Sequence, residues 1–367
     1  MMKNVRNIGF GLLVAVWIGL TAFGWLGPKK DMSEAERRPL AQMPAIKVET
    51  IMNGKFMTAF DDFSLDQFPG RDLFRQIKSV FHYYVLRQSD NNDIYIADGY
   101  AVKQEYPLKE TSVNHAMERL NHIYNKYLKD TGSRVFMTVI PDKGYYLAES
   151  SGHLSMDYDA LIQTVQEQMD WATHVDIFDT LDASAYYFTD THWRQEKLQK
   201  TAERLCEALG MTAFDEGELA PEKVERPFYG VYYGQAALPM DPEDLYVMRG
   251  GILDSCTVYD HETGKTGSIH DMTKLESRDL YDVYLSGARA LLTIENPNAS
   301  TDRELIVFRD SFGSSLIPLL VKDYASVTVV DIRYIASDLL GNFIDFHGQD
   351  VLFAYSTLIL NSSNSLK

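Results

Sequence analysis

Two short stretches, residues 135–140 (VFMTVI) and 305–308 (LIVF), are apolar almost without interruption. A strand with one face in water alternates polar and apolar residues, whereas a strand covered on both faces does not. These runs therefore call for a sheet with helices on both sides. The segments between them supply the helices. Val113, Ala116, Met117, Leu120, Ile123, Tyr124, Tyr127 and Leu128 recur at three- and four-residue intervals. That spacing predicts one helix, with Thr111 or Ser112 as N-cap and Gly132 as its end. Further helices are expected over 158–172, 194–209 and 312–321, and further strands over 175–178, 327–330 and 351–355. Strands alternating with helices imply an α/β fold with a mostly parallel sheet. Residues 211–300 interrupt the alternation with Gly, Pro, Tyr and charge. They read as an inserted irregular, β-rich region that carries part of the substrate surface.

The N-terminus adds a second constraint. Residues 8–26 hold no charged side chain, a length that can cross a hydrocarbon core of roughly 30 Å as a helix. Lys3 and Arg6 precede the run, which places the N-terminus in the cytoplasm and the remainder across the membrane. A cleaved signal peptide is the competing reading, although the run is longer than a usual signal core and no A-x-A site follows it. Residues 31–50, with Pro39 and Pro44 among charges, read as a tether. Leu73, Ile77, Val80, Phe81 and Tyr84 predict a helix over 61–84. Residues 94–103 predict a hairpin turning at Asp98-Gly99.

The 367 residues carry a net charge of −17 and a pI near 4.9. Such a surface excludes nucleic acid and disfavours attraction to anionic lipid headgroups. A neutral or acylated sugar polymer is compatible with it. Cys206 and Cys256 are too few for a disulfide framework, and they are read either as one bridge or as two buried thiols.

The chemistry lies in two motifs. Asp190-Thr191-His192-Trp193 can supply a carboxylate and an imidazole. Arg309-Asp310-Ser311-Phe312-Gly313 places a serine just after an expected strand and before an expected helix. A nucleophilic serine needs a base to take its proton and an acid to orient that base. Residues i and i+2 of an extended segment point the same way, so Asp190 and His192 can enter one pocket. Bland readings stand beside this one. Asp190, Thr191 and Ser311 are all good helix caps, with Trp193 a core anchor. An Asp-x-His pair can also hold metal, but no further cluster at ligand spacing supports it. No metal and no cofactor are expected.

Here a resemblance enters. Thr189–Trp193 (TDTHW), Arg309–Gly313 (RDSFG) and 329–334 (VVDIRY) resemble the DHHW family, which is related to the alginate O-acetylation proteins AlgX and AlgJ. Residues 36–40 (ERRPL), 67–72 (QFPGRD) and 141–143 (PDK) also resemble that family's early segments. The likeness runs from about residue 33 to the C-terminus and is weak across 211–300. It implies an SGNH-hydrolase-like three-layer domain over 51–367, inserted at 211–300, behind a membrane anchor or signal at 1–30. By motif it implies Ser311 as nucleophile, His192 as general base and Asp190 as its orienting carboxylate. Arg333, Lys143 and Trp193 become supporting or substrate-binding residues. Arg309 stands where ordinary SGNH enzymes have a glycine, so the Ser311 N–H is expected as one oxyanion donor and the second is left open.

The function so implied is an extracytoplasmic O-acetyltransferase acting on a secreted or cell-wall polysaccharide through an acyl-serine, with an MBOAT-type membrane acyltransferase as partner. A carbohydrate esterase using the same residues is the rival reading, with water as acceptor. A non-catalytic polysaccharide-binding or assembly protein is the third.

Overall fold

The computed structural model describes residues 2–33 and 35–367; Met1, the start of the basic leader, lies outside them. The chain divides into two units, one of residues 1–92 with 233–240 and the other of 93–232 with 241–367.

The helices of the first unit include α1 (Met2–Leu26), α2 (Lys55–Asp66) and α3 (Arg71–Val80). Within α1, residues 7–26 are long and apolar enough to cross a membrane, which fits either a single-pass anchor or a signal sequence. The single helix expected over 61–84 is broken. Pro69 cannot continue α2, and Gly70 takes a left-handed φ of 70° before α3 begins. The stretch read as a tether is pinned: Arg38 grips Asp66 through two hydrogen bonds of 2.6 and 2.8 Å. Residues 51–92, assigned to the catalytic domain in the sequence, group with the N-terminal helix.

The second unit opens with a hairpin, β1 (Ile94–Ala97) and β2 (Tyr100–Lys103), in which Asp98 and Gly99 both take positive φ, the two-residue turn that suits strand twist. Among its other elements, in chain order, are α4 (Glu110–Ile123), β3 (Val135–Ile140), α5 (Lys143–Leu147), α6 (Tyr158–Gln168), β4 (Thr173–His174) and α7 (Gln199–Leu209). Then come β5 (Thr257–Asp260), β6 (Lys265–Gly267), β7 (Leu291–Glu295), β8 (Glu304–Arg309), α8 (Gly313–Leu316), β9 (Ser326–Val330) and β10 (Asp350–Ser356). Among the described residues, eight strands form one sheet in the order β6-β5-β7-β9-β8-β10-β3-β4. From β9 to β4 all neighbours are parallel; β5, β6 and β7 extend the sheet with antiparallel pairs.

The period of two along the strands sorts side chains to opposite faces. Phe136, Leu305, Val307, Leu352 and Ala354 join a core with Leu205 and Cys206 of α7. Val135, Met137, Ile306, Phe308, Val351 and Phe353 join another with Met117 of α4 and Leu161 of α6. This is the mixed α/β, mostly parallel arrangement that the apolar runs demand.

Several local expectations change. Residues 257–260, 265–267 and 291–295 of the expected insertion are strands of the main sheet. The strand expected at 175–178 is shorter and earlier, at β4, and 178–180 form a 3₁₀ turn. The helix expected from 194 starts at Gln199, and that expected over 312–321 is α only over Gly313–Leu316. Ser112 does not cap α4; its hydroxyl donates to the Leu360 carbonyl instead. Cys206 and Cys256 are free and buried, and burial pushes their thiols up to about 12 and about 11.

Candidate active site

Ligands gather at the C-terminal edge of parallel strands, because strand ends, loops and exposed backbone N–H groups meet there. β3, β8, β9 and β10 run parallel and end near one another at that edge. Lys143 follows β3, Ser311 follows β8 and Asp331 follows β9. Ser311 sits on the turn between β8 and α8. Asp310, beside it, is fully buried and accepts from Phe312 N at 3.0 Å and from Ser356 N, at the end of β10, at 2.8 Å. The turn is thereby tied to two strands. Gly313 is required here, because a Cβ would lie 2.7 Å from the Arg309 Cβ.

Asp190 and His192 come from the loop after β4. Tyr186 and Trp193 close that loop as a β-bridge, with Tyr187 N donating to His192 O at 3.1 Å. Asp190 Oδ1 accepts from His192 N at 3.0 Å and meets His192 Nδ1 at 2.6 Å. His192 Nε2 lies 2.7 Å from Ser311 Oγ. The carboxylate holds a proton on Nδ1, which leaves the Nε2 lone pair to accept the serine hydroxyl. Serine, imidazole and carboxylate thus form one hydrogen-bonded line, inside the 2.6–3.2 Å reach that general-base chemistry needs. Asp190 is fully buried and His192 nearly so, while Ser311 is half-buried and reachable.

The Ser311 N–H has no acceptor among the described residues, whereas the three that follow do. Phe312 N donates to Asp310 Oδ1, Gly313 N to Asp310 O and Ser314 N to Ser311 O.

Trp193 is a core anchor rather than a surface for substrate. It is fully buried, and its Nε1 donates to Phe312 O at 3.0 Å and to Ser315 Oγ at 2.9 Å. It therefore locks the His192 loop to the Ser311 turn. Lys143 is buried too; its Nζ donates to Tyr187 O at 2.9 Å and lies 5.1 Å from the Tyr232 ring centroid. Burial pulls its ammonium down to about 7, against the opposing charges of Asp190, Glu243 and Asp142. Arg333 is engaged by Asp331, with Nε at 2.9 Å and Nη2 at 2.6 Å. Although desolvation opposes it, the hydrogen bonds and charge of Asp331 hold its guanidinium above the ordinary arginine range. Arg309 is fully buried, donates to Gly287 O at 3.1 Å and lies 3.6 Å from Asp331.

Several supporting residues escape sequence reading. Val231 N donates to the second oxygen of Asp190 at 2.8 Å, and Gly230 N to Thr189 Oγ1 at 2.8 Å. The approach is so close that a Cβ on Gly230 would stand 2.3 Å from the Asp190 backbone. Glu243 accepts from Phe188 N, Thr189 N and Thr189 Oγ1, each at 2.6 Å. The Tyr281 ring stacks on His192 at 3.9 Å and 8°, and its hydroxyl reaches Ser315 at 2.7 Å. All four lie in the 211–300 region, whose sequence signal was its wealth of Gly, Pro, Tyr and charge.

Residues 176–330 match the family model described as DHHW protein. No curated protein matches the chain. Among solved structures, a DHHW family protein from Eubacterium siraeum is similar, with TM-score 0.60, 22% identity and cover of 75% of this chain and 94% of that one. Bacillus cereus PatB1 with sulfonyl adduct gives TM-score 0.58 and 16% identity over 73% and 95%. The O-acetyltransferase domain of Pseudomonas putida AlgJ gives TM-score 0.44 and 13% identity over 73% and 92%. The fold is shared with the first two, and the residues that match the family model include Asp190, His192 and Ser311.

Proposed function

We propose that the chain is an extracytoplasmic O-acetyltransferase that acts on a secreted or cell-wall polysaccharide through an acyl-serine on Ser311. The observation that carries this reading is the unbroken line from Ser311 Oγ through His192 to buried Asp190. His192 takes the hydroxyl proton as Oγ attacks the acyl carbonyl, then returns it to the leaving group. In the second half, His192 deprotonates a sugar hydroxyl, which attacks the acyl-serine and frees the serine. Asp190 keeps the imidazole in the working tautomer and stabilises its charged form. The open Ser311 N–H is the proposed oxyanion donor in both halves.

The acetyl group, the polysaccharide acceptor and an MBOAT-type donor partner rest on the DHHW resemblance. PatB1, similar in fold, is known with a sulfonyl adduct, which suggests a direct probe. An arylsulfonyl fluoride should transfer its sulfonyl group to Ser311 Oγ with loss of fluoride, and peptide mass spectrometry should find the adduct at that residue. An acetyl ester donor should likewise leave an acetyl group on Ser311. With a polysaccharide present, acetyl transfer exceeding acetate release supports a transferase, and release to water alone supports the esterase. A chain that remains unmodified by either reagent would overturn the nucleophile assignment.

A further inference from the structure

The first unit contains a helix whose polar face is turned inward. Arg71 and Arg75 of α3 pair with Glu36 at 2.5 and 3.3 Å, and Arg75 Nη2 also donates to Gly234 O at 2.9 Å. Ser79, 2% exposed, accepts from Asn91 Nδ2 at 2.8 Å. The opposite face is apolar and bare. Leu73 is 59% exposed, Ile77 55% and Tyr84 51%, with Phe74, Phe81 and Val85 also exposed. The strip continues past α3 through the wide turn Phe81–Val85. A helix in water buries its apolar stripe and shows its charges, so this arrangement is inverted. A contiguous exposed apolar strip marks a surface with a non-aqueous neighbour.

The same unit indicates what that neighbour is. The turn between α2 and α3 packs along α1. The Phe68 ring lies 5.8 Å from Trp17, Trp25 Nε1 donates to Ser64 Oγ at 3.0 Å, and Gly24 lets Pro69 approach to 3.3 Å of its missing Cβ. Trp17 stands nine residues inside the end of α1 at Leu26, roughly 13 Å along the helix axis. The turn that launches α3 therefore lies against the interior of the apolar run, and the bare strip of α3 faces outward from that same body.

We propose that, with α1 retained as a membrane span, α3 and the turn Phe81–Val85 lie in the interface of the bilayer that α1 crosses, their apolar strip among the acyl chains. Arg71 and Arg75 are engaged inside the unit, and the exposed Lys78 is offset by the exposed Asp72, so the contact rests on buried apolar area more than on headgroup charge. It is consistent with the acidic chain and is independent of the chemistry proposed for Ser311.

The test uses the full-length chain in zwitterionic phosphatidylcholine vesicles. Single cysteines replace the exposed side chains in Phe74→Cys, Ile77→Cys and Tyr84→Cys, each carrying an environment-sensitive nitrobenzoxadiazole label. Glu216→Cys, at an exposed charged loop of the second unit, is the aqueous reference. Cys206 and Cys256 are buried, and the unsubstituted chain measures any background labelling. The three strip labels should be blue-shifted, quenched by spin-labelled lipid, and several-fold less accessible to iodide than the reference, unchanged by high salt. Equal iodide access at strip and reference would overturn the proposal. So would strip labels that are open in pure-lipid vesicles but shielded in native membranes, because a protein partner would then cover the face. Melting curves of each labelled chain establish that it is folded.

Discussion

The Ser311 hydroxyl has one proton path, through His192 Nε2 at 2.7 Å. Ser311→Ala and His192→Ala should each lower kcat by several orders of magnitude, and the double variant should lose little more, because the residues act as a unit. If Ser311 were only a cap, the cost would be about 0.5–2 kcal/mol of stability with activity retained; near-normal turnover by Ser311→Ala would reject the mechanism. Asp190→Asn should hold the fold yet lower kcat on the order of 10⁴-fold, since the amide favours the wrong imidazole tautomer. Lys143 makes a second residue-level prediction. Folded, its ammonium titrates near 7; unfolded, near the ordinary 10.5. Between those values the unfolded chain binds a proton that the folded chain does not. Its contribution therefore makes stability rise from about pH 7 to 10.5 and stay flat below. Lys143→Met should remove that slope. Urea midpoints at neutral and alkaline pH would show it, and identical pH profiles for variant and parent would refute it.

At the scale of elements, the site is a loop clamped between a turn and a sheet edge. Trp193 joins the loop to the Ser311 turn through its indole N–H. Trp193→Phe leaves the Phe312 carbonyl and the Ser315 hydroxyl short of a buried partner, which should cost about 1–3 kcal/mol and lower kcat as the imidazole loosens. Chemical denaturation and single-turnover kinetics measure the two effects. The 228–232 segment clamps the other side. Gly230→Ala would force a Cβ to 2.3 Å from the Asp190 backbone, so the Val231 N–H should withdraw from the carboxylate. Both melting temperature and kcat should fall. Gly251→Ala is the comparison: nothing lies within 4 Å of its Cβ, so stability should hold or gain about 0.4–1 kcal/mol. Equal behaviour of the two variants would remove the steric argument.

At the scale of the whole molecule, the chain joins an acidic α/β unit to a helical unit that carries an apolar helix and an exposed apolar strip. Full-length protein should remain in the membrane pellet after alkaline carbonate washing, because an apolar run of that length partitions into hydrocarbon. External protease should reach the residues after about position 30, given the basic leader. A soluble mature form lacking residues 1–27 would identify α1 as a cleaved signal.

What the sequence determined alone follows from what local pattern can encode. Unbroken apolar runs required strands covered on both faces, and β3, β8 and β10 are buried along nearly their whole length. The period of α4, the uncharged run 8–26 within α1 and the Asp98-Gly99 turn were legible for the same reason, since each depends on neighbours a few residues away. The serine, histidine and aspartate were legible as residue types, but their assembly was expected from the family resemblance and not from local pattern: His192 and Ser311 are 119 residues apart in the chain. Only tertiary structure decided that Gly230 and Val231, 41 residues beyond Thr189 and Asp190, would brace the carboxylate. It alone placed residues 257–260, 265–267 and 291–295 in the main sheet and set Arg309 beside Asp331. It also turned the arginines of α3 inward, because Glu36, Asn91 and Gly234 meet that face only after the chain has closed on itself. Periodicity records which side chains share a face; which face meets which partner is set by the folding of distant segments.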